Sequence, residues 1–206
     1  LYSGHKVSSD NPLCEGCSVL STSKPCYAVE DYKKLPEAKV LFLADSFSYR
    51  FGKATAFSDK ERGLIKASFP YPSAFSAAVK CPSVKEADMS PDDMKICRSH
   101  LEETIDAVKP TLVFTCWNLS MKMLIRKSGI TNKRGKSFEF TSKEGHTCTV
   151  VPLFHPYSVI KEPRHKYLFD IDIKNAYEKY ILESTDTTQF KYKVLLKEKD
   201  VKTLWE

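Results

Sequence analysis

Two cysteines three positions apart, in Leu13-Cys14-Glu15-Gly16-Cys17, are the first residues of this sequence equipped for chemistry. Thiolates at that spacing can turn toward one ion or cluster from a single turn of backbone. A third cysteine, Cys81, ends an apolar run in Val79-Lys80-Cys81-Pro82. A fourth, Cys97, follows sixteen residues later at or near the start of a helical stretch. Delivered from separate elements, those two would complete a four-thiolate site for a metal or a cluster. Taken alone, the C-x-x-C pair fits a redox couple or half of a zinc site equally well. Three more cysteines, Cys26, Cys116 and Cys148, bring the total to seven, and an odd number argues against a disulfide framework. These three read as ordinary small thiols, buried or on the surface.

The elements that would position the four thiols follow from the apolar pattern. Ala38–Ala44 is a short, nearly all-apolar run, as expected of a strand buried on both faces. It leads into Asp45-Ser46-Phe47-Ser48, read as a loop at the carboxyl end of that strand, where α/β proteins carry their chemistry. A helix is expected over 58–69, with Leu64, Ile65 and Phe69 on one face, Ser58 as its cap and Glu61 at the capping-box position. Residues 74–80 form a second strand that delivers Cys81, and a charged loop follows to Pro91. Residues 92–108 form a helix with Met94, Cys97, Leu101, Ile105 and Val108 at spacings of three and four. Then come a strand over 111–116, a helix over 118–126 closed by Gly129, and a basic loop over 133–143. A strand over 146–153 ends in Phe154-His155-Pro156-Tyr157-Ser158, and an amphipathic helix over 167–182 closes the unit.

Strands alternating with helices imply an α/β three-layer sandwich around a mainly parallel sheet of about four strands. The expected organisation is a cysteine-bearing segment 1–36 packed on a main domain 37–184, with 185–206 as a linker or the start of another domain. In that tail, Phe190, Tyr192, Val194 and Leu196 alternate as in a strand, and the residues from Lys197 onward have helix-starting character. The chain begins with Leu1 rather than methionine, as expected for a piece of a longer protein. No stretch is long and apolar enough to span a membrane and no signal-peptide pattern opens the sequence. With free cysteines, this points to a reducing compartment such as the cytoplasm, the host's if the source is a phage. The net charge of +6 favours an anionic partner.

At these residues the sequence resembles the iron–sulfur (family 4-like) branch of the uracil-DNA glycosylase superfamily, over roughly 10–182. The resemblance rests on the order of the C-x-x-C, the Lys80-Cys81-Pro82 after a strand and the fourth cysteine sixteen residues on. Pro110 before a strand, His155-Pro156 ending the last strand and a closing helix with Asp170 or Asp172 continue it. It implies a [4Fe-4S] cluster on Cys14, Cys17, Cys81 and Cys97, with zinc as the alternative occupant. The catalytic marks depart from the family. Its first motif, Gly-Glu-Ala-Pro-Gly, corresponds here to Ala44-Asp45-Ser46-Phe47-Ser48, without the glycines and proline that let backbone amides approach a flipped base. Phe57 matches the phenylalanine on which uracil stacks, though core packing is the competing reading. The asparagine that reads uracil's pairing edge is replaced by Ala77, which has no donor or acceptor. His155 matches the histidine that stabilises the uracil anion, against the reading of a strand-end histidine bonded to its own loop.

Three functions are weighed on these residues. The first is a DNA-binding module of a replication or repair protein, without uracil excision, gripping DNA non-specifically through Lys80, Arg134, Lys136 and Arg164. The tail supports it, because Phe190–Leu196 and Asp200–Trp205 resemble the opening of the proofreading-exonuclease domain of DNA-polymerase-I-type enzymes. Some phage polymerases of that type carry a glycosylase-like N-terminal domain. The second is an active, divergent glycosylase using Asp45 and His155. The third is a protein–protein module among other replication proteins, as in the glycosylase-fold subunits of large-virus replication machinery.

Overall fold

A computed structural model of the chain describes residues 6–7, 14–19, 26–27, 38–50 and 53–182. The expected tail strand and helix beyond 184, and most of segment 1–36, lie outside the described residues. Two short strands, β1 (Lys6–Val7) and β2 (Cys26–Tyr27), pair antiparallel. The main sheet is built on β3 (Val40–Arg50), with β4 (Lys53–Thr55), β5 (Ala74–Pro82), β6 (Leu112–Cys116), β7 (Phe138–Thr141) and β8 (Thr147–Leu153). Four strands run parallel in the order β5-β3-β6-β8, and these are the four that the apolar runs mark out. Two antiparallel strands extend the sheet, β7 beside β8 and β4 beside the far half of β3.

The helices are α1 (Asp59–Ser68), α2 (Pro91–Val108), α3 (Asn118–Ile125), the short α4 (Ile130–Lys133), α5 (Pro156–Lys161) and α6 (His165–Tyr177). Helices α1, α5 and α6 pack together on one side, while α2 and α3 pack against β5 and β3, giving three layers. Helices α1 and α2 begin as their sequences require. Ser58 and Glu61 form a complete capping box on α1, and Ser90 and Asp93 form one on α2 behind Pro91 at its first position. Helix α3 ends at Arg126, itself in the left-handed conformation (φ 56°), rather than at Gly129. The last helix runs on through a π-helical turn, Glu178–Leu182.

The core is aromatic on the α1 side. Phe42 lies 4.9 Å from Phe114, 5.8 Å from Phe75 and 5.8 Å from Phe69 between ring centroids, so β3, β5, β6 and the end of α1 all contribute. Side chains two apart on a strand share a face, so the next row toward the carboxyl ends holds Ala77, Ala44, Cys116 and Leu153 in register. That row decides what the site can hold.

Two expectations are corrected. Asp45–Ser48 is not a loop: β3 continues through it to Arg50 and pairs with β4. The register between β3 and β5 shifts between Ser46 and Phe47, and the fully buried Phe47 accepts a backbone bond from Ser83. With no glycine or proline to break it, the strand keeps its ladder. The basic interval 133–143 is not all loop either, since Phe138 and Phe140 alternate with Glu139 and Thr141 to form β7.

Candidate functional site

The four cysteines converge from three directions. Cys14 and Cys17 sit in a tight turn closed by a Cys17 N–H to Cys14 carbonyl bond of 3.1 Å, with Gly16 supplying the left-handed residue (φ 78°). Cys81 comes from the end of β5, and Cys97 from the second turn of α2. Cys14, Cys81 and Cys97 are buried and Cys17 is half-buried. Burial pushes the Cys97 thiol far above its usual range, and the neighbouring Cys17, Cys81 and Cys14 push it further, so all four sulfurs lie within electrostatic reach. Burial, then Cys17, raises Cys14 in the same way.

The segment that brings Cys14 and Cys17 is tied to α2 by Asp93. Its carboxylate accepts from the Ser18 N–H (2.8 Å) and hydroxyl (2.7 Å) while also capping the helix through the Ser90 N–H (3.0 Å) and hydroxyl (2.7 Å). Burial works to raise Asp93, but the bonds from Ser90 and Ser18 outweigh it and hold the group well below the carboxylate range. His100, one turn beyond Cys97, places Nε2 3.2 Å from the Cys14 sulfur.

Four thiols in one buried place fit a group that takes thiolates, because such a group removes the protons that burial otherwise retains. Among the described residues no three His, Cys, Asp or Glu side chains are close enough to share a single ion. Four thiolates are the donor set that either a cluster or a zinc ion takes. The donor set fits a cluster in number, type and burial.

The region around Ala77, Phe57 and His155 is built differently. Ala77, Ala44 and Cys116 form a row of small residues, each at most 1 % exposed, and Phe57, also 1 % exposed, packs edge-on to Phe75 at 5.9 Å. The His155 ring lies 5.9 Å from Phe57. His155 caps α5: its Nδ1 accepts the Tyr157 N–H at 3.1 Å, as the strand-end reading expects. Glu61 does more than cap α1, the one role its spacing predicts. One of its oxygens accepts from Ser58, and the other faces His155 Nδ1 at 3.6 Å. Burial lowers the His155 pKa and Glu61 pulls it back up, with burial prevailing.

Asp45 is committed elsewhere. Its two oxygens accept the Ser120 N–H (2.7 Å) and the Leu119 N–H (3.3 Å), capping α3, whose own first residue is preceded by Trp117 rather than a capping side chain. Ala44 faces the Ala77 row, so Asp45, one residue on, turns to the other face of the sheet, toward α3. Asp45 and His155 are thus both engaged as helix caps, Asp45 of α3 and His155 of α5. Burial raises the Asp45 pKa against the two helix amides that favour its charge. Cys116, fully buried and under the fields of Asp45 and Glu61, is held as a neutral thiol. Trp117 occupies φ 108°, a conformation that suits glycine, and its N–H donates to the Leu153 carbonyl at 3.2 Å. Nothing in the sequence pattern signals that strain, since no glycine marks the turn.

The cationic candidates also divide. Lys80 is 2 % exposed and its ammonium donates to Ser76 and Thr104 at 2.8 Å each, so it presents no charge to a phosphate; this corrects the expectation for that residue. Arg134 is partly exposed, paired with Asp172 at 2.5 Å and held over the Phe154 ring at 5.5 Å. Lys136 is exposed beside it, next to Gly135, whose N–H bonds the Pro152 carbonyl of β8. Arg164 is exposed and paired with Glu162 at 2.6 Å. Arg134 and Lys136 flank Gly135 near the carboxyl end of β8, Arg164 precedes α6, which carries the exposed Tyr167, and the exposed Tyr157 lies on α5. Among the described residues no helix is long and apolar enough to cross a membrane.

No protein-family profile matches the chain. It is 23 % identical over 146 residues to a DNA polymerase of Bacillus phage SP01, a match covering 67 % of this chain and 15 % of that protein. It is 30 % identical over 105 residues to a type-4 uracil-DNA glycosylase of Sulfurisphaera tokodaii, covering 48 % of this chain and 47 % of that one. The chain thus spans under half the length of either relative. With an α/β sheet of four parallel strands between helices, it is a distant homologue of a type-4 uracil-DNA glycosylase and of a region of a phage DNA polymerase.

Proposed function

We propose that this chain is a glycosylase-fold DNA-binding module of a replication or repair protein, such as a phage DNA polymerase, and that it does not excise uracil. The observation that carries the reading is the row of Ala77, Ala44 and Cys116, which offers no amide at the base-reading position and is sealed from solvent. A buried pocket that cannot pair with a base loses the discrimination that excision needs. Cys14, Cys17, Cys81 and Cys97 hold a [4Fe-4S] cluster, which contributes local order by tying segment 14–19 to β5 and α2. The surface beyond β8, with Arg134, Lys136 and Arg164, meets phosphates without reading bases.

Two assays test this. Incubation with uracil-containing single- and double-stranded DNA should release no uracil, and release that depends on Asp45 or His155 would restore the active-glycosylase reading. Affinity for uracil-free and uracil-containing strands should be equal and fall with salt. The Arg134→Ala/Lys136→Ala variant should flatten the log–log salt slope by about one unit for each phosphate that is no longer neutralised. No binding even at low salt would move the function to a protein–protein module.

A further inference from the structure

A cavity opens at the amino end of β5, whereas the cysteines and the row of small residues lie toward the carboxyl ends of the strands. It has a volume of about 570 Å³ and is lined by Arg62 and Lys66 of α1, Pro70 and Tyr71 of the following turn, and Phe75 of β5. Cavities that hold small molecules fall in this size range. Arg62 and Lys66 stand one helical turn apart on the same face, and among the described residues no carboxylate pairs with either. Arg62 is held in place, its Nε donating to the Phe57 carbonyl at 3.2 Å and its guanidinium lying 5.0 Å over the Phe75 ring. That leaves its terminal NH groups to turn toward an anion. Tyr71 is 49 % exposed, yet its ring is fixed, stacked on Tyr177 at 4.5 Å and 19° and met edge-on by Phe69 at 5.2 Å.

A pre-positioned aromatic ring beside two cations that no described carboxylate pairs suits a ligand with a flat π-face at one end and a phosphate at the other. A plain anion would leave Tyr71 without a role, and an apolar ligand would leave both cations facing nothing. We propose that this cavity binds a nucleoside monophosphate, either free or as the phosphorylated end of a DNA strand. The base stacks against Tyr71 and the phosphate sits between Arg62 and Lys66. The site is independent of the surface beyond β8 and of the cluster.

Calorimetric titration of the intact chain with thymidine monophosphate, deoxyadenosine monophosphate, thymidine and inorganic phosphate tests it. Both nucleotides should bind saturably, and each fragment should bind at least about tenfold more weakly. Tyr71→Ala should weaken nucleotide binding roughly tenfold or more, whereas Tyr71→Phe, which keeps the ring, should not. Arg62→Gln/Lys66→Gln should weaken the nucleotide and leave thymidine unchanged. Thermal melts of the same variants separate loss of the site from loss of the fold, with Tyr71→Phe as the reference for the ring. A 5′-phosphorylated oligothymidylate that displaces the mononucleotide identifies a strand end as the ligand, and failure to displace it identifies the free nucleotide. No saturable binding of either nucleotide, or binding unchanged in the Tyr71→Ala and Arg62→Gln/Lys66→Gln variants, overturns the proposal. Neither result bears on salt-dependent DNA binding, which Arg134 and Lys136 test separately.

Discussion

The cysteine end of this molecule and the row of small residues across β5, β3 and β6 share one strand, β5, and are built in opposite ways. At the cysteine end, four donors from three elements converge, and Asp93 and His100 are placed to hold the surrounding chain. At the other end, the polar groups a base would need are absent or turned to other tasks: Ala77 has no amide, Asp45 caps α3 and His155 caps α5. Three buried thiols beside a half-buried fourth are costly to keep together unless something binds them.

The comparison breaks most directly at the sulfurs. Protein purified without oxygen should be brown and hold about four irons per chain, and Cys81→Ala or Cys97→Ala should lose both colour and iron. Cys26→Ala, Cys116→Ala and Cys148→Ala should lose neither. Stoichiometric zinc without iron would keep the four ligands and remove the cluster.

At the other end, Ala77→Asn should not restore an enzyme. The side chain would enter a row with no space and no partner, and should destabilise the fold by about 2–4 kcal/mol in urea unfolding. Uracil release by this variant would mean that the row opens in solution, and the two ends would no longer contrast.

Asp93 sharpens the cysteine side. Asp93→Ala removes the bonds from Ser18 and Ser90 at a helix start and should cost about 1–3 kcal/mol. Its pKa is depressed, so its stabilisation is complete above about pH 3.9 and is lost as the pH falls below that. Iron content measured on the same variant shows whether the tie to Ser18 also keeps Cys14 and Cys17 in place. Full iron retention would make Asp93 only a helix cap.

How much of this is legible in the residues follows from where each signal lives. The parallel strands, both capping boxes and the four cysteines are local patterns, and Ser58-x-x-Glu61 and Ser90-x-x-Asp93 state their own geometry. The cysteine convergence also follows once β5 and α2 are placed. What cannot be read depends on facing. Asp45 looks available as long as the strand ends with its apolar run at Ala44; the continuation of β3 turns the carboxylate to the α3 side. Lys80 looks like a surface cation, but it lies two residues beyond Ala78 on a buried strand and meets Thr104 of a helix 24 residues away. Trp117 carries its strain silently, because only backbone angles reveal it.

The smallest effect concerns His155, and it distinguishes a cap from a catalytic group. As a cap, Nδ1 must be unprotonated to accept the Tyr157 N–H, and burial favours that neutral form while Glu61 opposes it. The folded-state pKa is therefore below 6.5, and between the two values only the unfolded chain takes up the proton. Stability from this residue is thus full above about pH 6.5 and drains as the pH falls through that value toward the folded pKa. His155→Asn keeps a capping oxygen and cannot titrate, so its stability should lie within about 1 kcal/mol of wild type at neutral pH and lose less on acidification. The other histidines titrate in both proteins, so the difference between the two curves isolates position 155. Glu61→Gln removes the opposing charge and should move the His155 transition, followed by its ring proton resonances, to still lower pH. A His155 pKa at or above about 6.5 in the wild type would instead mean that Glu61 dominates, leaving a charged imidazolium beside Phe57 as a catalytic residue would require.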